Sequence, residues 1–449
     1  MNFTDSKTQF DALLSDNRED GLNRAALSAL VVLVAGTLLF PDTLAEVGFH
    51  VGPLRISPLG ILFVLTAPAV LLLIWRERSS LKLQALDVTL LVAIAYITSR
   101  GLLAENTTSA KGLVIAYSGY VLVLYFGMAI VGRQIIAVRN VFFMFIGLGV
   151  LIAGYALIEF YITRNVLYGE LTQASVSSSR GGYYRSGSTL AHPVALGLFL
   201  AQVAPFFVFY FIQAGTRWKK IAWGAGIILI VLALEATVTK GAWATALLLS
   251  LAAIIWGWCK RTQRRSIFIL SVCTILAVSV FTAFSFDTMS NGVFSKSRKE
   301  ESFVSRWNMW EKVPEAFYSQ PLFGYGMWRG NTAVSRLLFP DRDYTEKKPD
   351  TIDNVYLTTL VEEGIVGIIL GGVLLWLISK KVWRVVRRND SLAIMAMPLA
   401  FSISAVLIDG MTFDSLLVWP SMVCFWFLLG LIRALADGAP PGTNDALSG

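Results

Sequence analysis

An Asp-Asn pair, Asp353 and Asn354, is followed by Tyr356, by the adjacent carboxylates Glu362 and Glu363, and by Gly364 and Gly367. It stands where a long polar stretch runs back into apolar sequence. A carboxylate in such a place can orient a hydroxyl or receive its proton. Basic residues occupy other polar segments: Arg185 in Arg185-Ser186-Gly187-Ser188, Lys240 in Thr239-Lys240-Gly241, and Arg306 in Arg306-Trp307-Asn308-Met309-Trp310. Such cations can attract an anionic substrate. Cations and one acid are thus available, from four separate stretches of chain.

The elements that position them are membrane spans. Of 449 residues, 55% are hydrophobic and 15% charged, with mean hydropathy +0.62, a composition that excludes an ordinary soluble domain. Apolar runs long enough to cross roughly 30 Å of hydrocarbon as helices fall near 24–40, 56–75, 86–97, 112–131, 140–161, 190–212, 221–236, 241–258, 267–284, 356–378, 392–407 and 415–431. About twelve spans are expected, the third short and the seventh and eighth nearly merged. With both termini inside, the inner segments carry about 21 Lys and Arg against about 7 in the short outer loops. The remaining basic residues lie in a polar segment of about 65 residues, far longer than ordinary connections, and long loops cross regardless of charge. The net charge of +8 therefore mostly reflects topology, and no nucleic-acid site is expected.

Other chemistries find little support. The polar, acid-containing leader before the first apolar run is a poor signal peptide, so that run is expected to be retained. Cys259, Cys273 and Cys424 lack metal-ligand spacing, and His50 and His192 are far apart, so no disulfide framework or metal site is expected. P-loop and dinucleotide glycine patterns are absent.

Each candidate also has a structural explanation. Arg185 can be an interfacial anchor before a helix beginning at Ser188 or Thr189. Lys240 can snorkel at a tight turn. Asp353 can be an N-cap; a helix beginning there puts Asp353, Tyr356, Gly364 and Gly367 on one face, with the glycines admitting a neighbouring helix. Phe303, Trp307, Trp310 and Phe317 share a helical face, predicting an amphipathic helix flanked by Arg306 and kinked by Pro314. Glu362 and Glu363 fall a turn or two inside the hydrocarbon, where a carboxylate needs a cavity or a cation. Lys240 and Arg185, together with Asp409 and Asp414, are the groups to test against them.

The ordered set Arg185 to Gly187, Lys240-Gly241, Arg306-Trp307 leading to Pro321-Leu322-Phe323-Gly324-Tyr325-Gly326, and Asn354 spaced from Gly364 and Gly367 resembles the O-antigen ligase and O-antigen polymerase superfamily of bacterial inner-membrane proteins. The resemblance is best between about residues 184 and 367. Asp353 stands where ligases carry histidine, and Lys240 where members carry arginine. The resemblance implies an all-α polytopic membrane protein of about 12 transmembrane helices. Residues 1–24 would form a cytoplasmic tail, 25–285 the first nine helices, 286–352 a large periplasmic loop with short amphipathic helices, 353–433 the last three helices and 434–449 a second cytoplasmic tail.

It further implies transfer of a glycan from undecaprenyl diphosphate to an acceptor hydroxyl outside the cytoplasm, without cofactor or metal. Asp353, Arg185 and Lys240 would be catalytic. Arg306, Asn354, Tyr356, His192, Trp310, Glu362 and Glu363 would contact substrate. Arginine grips phosphate oxygens with a planar fork and lysine serves as a point charge. Aspartate is a weaker base than histidine, so Asp353 would orient the acceptor and take its proton late. The Asp-Asn pair favours an exopolysaccharide or O-antigen repeat-unit polymerase over a ligase acting on lipid A-core. Besides the bilayer and the lipid-linked oligosaccharide, a flippase and a chain-length regulator are the partners such an enzyme implies. A secondary transporter using Glu235, Glu362 and Glu363 is the alternative of a different class.

Overall fold

In hydrocarbon every main-chain N–H and C=O must be satisfied within the chain, which forces long apolar stretches into helices. A computed structural model describes residues 21–40, 49–51, 54–56, 58–78, 82–103, 108–133, 135–168, 179–180, 183–259, 296–341, 351–386, 391–416 and 418–437. The chain is an all-α polytopic membrane protein. Its helices in order are α1 (Gly21–Leu39), α2 (Pro58–Arg76), α3 (Ala85–Leu103), α4 (Thr108–Val131), α5 (Ile135–Ile162), α6 (Pro193–Gln213), α7 (Arg217–Thr237), α8 (Lys240–Cys259), α9 (Lys296–Ser319), α10 (Gly330–Leu338), α11 (Val355–Val386), α12 (Ser391–Asp409) and α13 (Trp419–Asp437). Two short antiparallel ladders pair Phe49–Val51 with Leu54–Ile56 and Ser179–Arg180 with Tyr183–Tyr184.

Among the described residues nine helices are long and apolar enough to span, and α8 and α12 contain shorter apolar helices, Lys240–Ala252 and Ala396–Asp409. The expected short third span is a full helix of 19 residues, in which the polar side chains beyond residue 97 find partners: the Thr98 hydroxyl bonds that of Ser118 and the Ser99 hydroxyl donates to the Tyr96 carbonyl. The expected span at 267–284 lies outside the described residues.

Lipid replaces water around this bundle, so apolar burial alone does not hold the helices together and close packing must. Val64, Leu65, Leu71 and Leu72 on α2 are exposed on the outside of the bundle, whereas α13 is buried along almost its whole length. Gly430 lets α13 close onto α4, since a Cβ there would overlap the Tyr125 carbonyl.

One end of the bundle is fastened by a buried ion pair. Arg433 on α13 donates to Asp87 on α3 through Nε (3.0 and 3.2 Å) and a terminal nitrogen (2.9 Å), and the latter also donates to the Lys82 carbonyl (3.1 Å). Tyr125 Oη (2.7 Å) and the Gln84 N–H (2.8 Å) complete the set around Asp87, and Lys381 of α11 hydrogen-bonds Gln84. Lysine cannot reproduce this fork. Arg433→Lys should therefore lower stability by about 1–3 kcal/mol, read as a lower melting temperature of the detergent-solubilised protein. An unchanged melting temperature would show that the charge alone suffices.

The α9 and α10 helices belong to the long polar segment. Met309, Val313, Ala316, Val334, Ile352 and Val361 form a small core between them and the start of α11. The buried face of α9 is rotated from the expected aromatic stripe: Trp307 is 55% exposed and Trp310 packs against the core. The helix continues through Pro314. Phe303 lies where side chains are outside the described residues.

Candidate active site

The first turn of α11 is capped by Asn354, whose Oδ1 accepts from the N–H groups of Tyr356 and Leu357 (both 3.1 Å). Asp353 is therefore not the N-cap. It sits one residue earlier in the left-handed region (φ 51°). Its carboxylate accepts from Arg306 Nε (3.0 Å) and Thr351 Oγ1 (2.7 Å), and stays about one-fifth exposed. Trp310 Nε1 donates to the neighbouring Ile352 carbonyl (2.7 Å), which fixes α9 and hence Arg306 against this corner.

The turn after α12 meets the same corner. Asn354 Nδ2 donates to the Met411 carbonyl (3.0 Å), the Val355 N–H to the Gly410 carbonyl (2.8 Å), and Tyr356 Oη to the Leu407 carbonyl (2.7 Å). The polar atoms of Trp310, Asn354 and Tyr356 thus build the rim. Lys240, exposed, opens α8. The next residue, Gly241, lies so close to this turn that a Cβ would be 2.7 Å from Thr412 Oγ1 and 3.0 Å from Asp409 Oδ1. Asp409 is buried, with neither carboxylate oxygen hydrogen-bonded among the described residues, and Arg306 is near enough to act on it electrostatically. Burial pushes the Asp414 carboxyl up to about 6, with Thr358 Oγ1 donating to it (2.8 Å) in opposition and Asp353 adding to the rise.

Arg185 comes from the segment before α6. It is buried, which rules out an interfacial anchor, and a 3-10 turn over Ser188–Leu190 precedes the helix proper at Pro193. Its Nε donates to the Thr237 carbonyl (3.0 Å) and a terminal nitrogen to Thr239 Oγ1 (3.1 Å), tying it to the turn that delivers Lys240. His192 stacks on Phe413, with ring centroids 5.7 Å apart, and Nδ1 has no partner among the described residues.

Burial holds the His192 imidazole down to about 4, with Arg185 adding to the depression and Asp353 opposing it. Between pH 6.5 and 4 the unfolded chain binds a proton at this position that the folded chain does not, so acidification through that window removes stability. The Asp414 effect has the opposite sign. His192→Gln should flatten the fall in melting temperature between pH 6.5 and 4 relative to the native protein. Parallel curves would show that His192 is not the group responsible.

Below this rim, α11 breaks. Gly364 has φ 63° and ψ −161°, outside helical space. The carbonyls of Val361 and Glu362 accept instead from the N–H groups of Tyr325 (3.0 Å) and Gly326 (2.7 Å). The N–H groups of Ile365 and Val366 donate to the carbonyls of Pro321 (2.9 Å) and Leu322 (3.3 Å). The neighbour admitted by Gly364 is therefore a loop, not the helix expected from the spacing. Gly324 (φ 62°) faces it, and a Cβ there would overlap the Glu362 backbone.

Neither glutamate pairs with Lys240 or Arg185. Glu362 Oε1 accepts from the Gly330 N–H (3.1 Å), placing its carboxylate at the N-terminus of α10, where the helix dipole favours it. Glu363 is buried, with no hydrogen bond to its carboxylate among the described residues, and its electrostatic partner is Arg100 of α3. Arg100 donates to the carbonyls of Phe323 (3.2 Å) and Gly324 (2.9 Å), and Tyr96 Oη to that of Glu363 (2.7 Å). The sequence reading missed Tyr96 and Arg100, along with Glu159 of α5.

The structure thus gathers Arg185, His192, Lys240, Arg306, Asp353, Asn354, Tyr356 and Asp409 around one end of the bundle, with Trp310 behind Arg306. Glu362 and Glu363 lie two turns further along α11. Such a rim can hold an anion between cations and present an acid to a hydroxyl. Residues 225–371 match the family model described as O-antigen ligase, a stretch that includes Lys240, Arg306 and Asp353 and excludes Arg185, His192 and Asp409. The match covers about a third of the chain and supports a relationship of this stretch to the O-antigen ligase superfamily. Glycan transfer of the ligase or polymerase type is the activity this family supports. No curated protein matches the chain.

Proposed function

We propose that the protein transfers a glycan from undecaprenyl diphosphate to an acceptor sugar hydroxyl, as an exopolysaccharide or O-antigen repeat-unit polymerase of the bacterial inner membrane. Both termini would face the cytoplasm and the rim the periplasm, as the distribution of Lys and Arg favours. The observation that carries this reading is the Arg306–Asp353 contact at 3.0 Å in a rim that also holds Arg185 and Lys240.

In the reaction the acceptor oxygen bonds to the anomeric carbon as that carbon's bond to the diphosphate oxygen breaks. The lipid diphosphate leaves as an anion and the acceptor proton passes to Asp353. A diphosphate leaves readily, so the protein's task is to hold and neutralise it and to aim the acceptor. Arg185, Lys240 and Arg306 supply the charge; no metal or cofactor takes part. A flippase would deliver the donor and a chain-length regulator would set product size.

The test is purified protein in nanodiscs with an undecaprenyl-diphosphate oligosaccharide, chelator present and nucleotide absent. A ladder of lengthened glycans is expected. Single transfer to lipid A-core instead would assign the ligase reaction. Failure to transfer, with gradient-driven uptake in proteoliposomes, would replace the enzyme by a transporter.

A further inference from the structure

Glu159 lies in the last turn of α5, buried to 2% exposure inside an apolar helix, and none of the chemistry above uses it. Among the described residues its four partners are all neutral donors. Oε1 accepts from Tyr184 Oη (2.6 Å) and the Gly187 N–H (3.3 Å), and Oε2 from Ser186 Oγ (2.8 Å) and the Ser188 N–H (2.6 Å). These donors flank Arg185 on both sides. The Ser186 N–H donates onward to the Ala236 carbonyl (2.9 Å), and Arg185 itself reaches Thr237 and Thr239, the residues just before Lys240.

We infer that Glu159 is a positioning residue for the reaction, setting the place of the Arg185 guanidinium and, through residues 236–239, its separation from Lys240. The inference rests on the proposed function, in which those two cations share the diphosphate. A carboxylate suits the task because it is acceptor-only and holds two main-chain and two hydroxyl donors at once, each bond strengthened by its charge. A glutamine of the same shape would turn an NH₂ group toward some of these donors and release part of the segment. Misplacing a substrate-holding group by about 1 Å can slow turnover about 10²-fold.

The experiment compares wild type, Glu159→Gln, Arg185→Ala and the double variant. Donor KM, kcat and amide hydrogen exchange over residues 184–190 are measured on each, and phenylglyoxal labelling of Arg185 on the wild type and Glu159→Gln. Glu159→Gln should raise exchange in that segment alone, expose Arg185 to the reagent and reduce kcat/KM about 10²-fold. The double variant should be no slower than Arg185→Ala, within about threefold, because the two residues act as one unit. Independent, multiplied losses would overturn the inference, as would unchanged exchange and labelling. Should Glu159→Gln fail to fold, Tyr184→Phe and Ser186→Ala each remove one donor and should loosen the same segment partially. If the wild type transfers no glycan the proposed function falls, while exchange and labelling still decide whether Glu159 holds Arg185.

Discussion

Asp353→Asn should lower turnover about 10²- to 10³-fold while leaving the fold intact and donor KM within a few-fold of its native value. Asparagine keeps the size of the side chain; its single carbonyl oxygen can still accept from Arg306, and its NH₂ can donate to the Thr351 hydroxyl, which is able to rotate and accept. What it cannot do is take a proton, the part that the proposed reaction gives to Asp353. Capping does not confound the result, since Asn354 makes both cap bonds. Arg306→Ala, by contrast, should weaken both donor binding and turnover, because it leaves Asp353 without its cation and the leaving group with one fewer. Steady-state kinetics on a lipid-linked donor, with melting temperature followed alongside, separates the two patterns. Near-native turnover in Asp353→Asn would reduce Asp353 to a structural partner of Arg306.

Gly364→Val should be the most damaging single change to the fold. Its φ and ψ lie in a region open essentially to glycine alone, where other residues cost about 1–3 kcal/mol. A Cβ would also stand 2.6 Å from the Leu322 carbonyl carbon and oxygen, and forced overlap adds about 1–3 kcal/mol more. The two together, about 2–6 kcal/mol, consume a large share of a typical margin of about 5–15 kcal/mol. Valine should therefore abolish the monodisperse peak in size-exclusion chromatography. Gly371→Ala, two turns on and with nothing within 4 Å of the added atom, should be tolerated. Equal yields from both variants would mean that the break in α11 is dispensable.

How far residue types alone carry the structure differs between its parts. The spans were legible because a membrane helix satisfies its own backbone, so length and hydropathy nearly suffice. Arg185, Lys240 and Asp353 stood out as charges at the borders of apolar runs, and Arg306 as a charge beside an aromatic stripe in the long polar segment. The break at Gly364 was not legible: residues 356–378 read as one continuous helical run, and only contact with residues 321–326 rewards interruption. Glu159 and Arg100 escaped notice for a related reason. Arg100 contacts a segment more than 220 positions away, and Glu159 reads in isolation as one charge near the end of a span. The N-cap was misplaced by one residue, since Asp and Asn are both strong caps and the choice turned on Arg306, 47 positions upstream.

The main-chain bonds between residues 321–326 and 361–366 carry a consequence for engineering and for natural divergence. The extramembrane helices are stitched into a membrane helix by peptide groups, so this seam is indifferent to most side chains and intolerant of any shift in chain length. Leu322 and Phe323, both exposed, should accept wide substitution, whereas a one-residue insertion between Pro321 and Gly326 should strand polar main-chain groups in lipid. A chimera that borrows α9 and α10 from a related sequence should assemble only when the matching stretch of α11 travels with them.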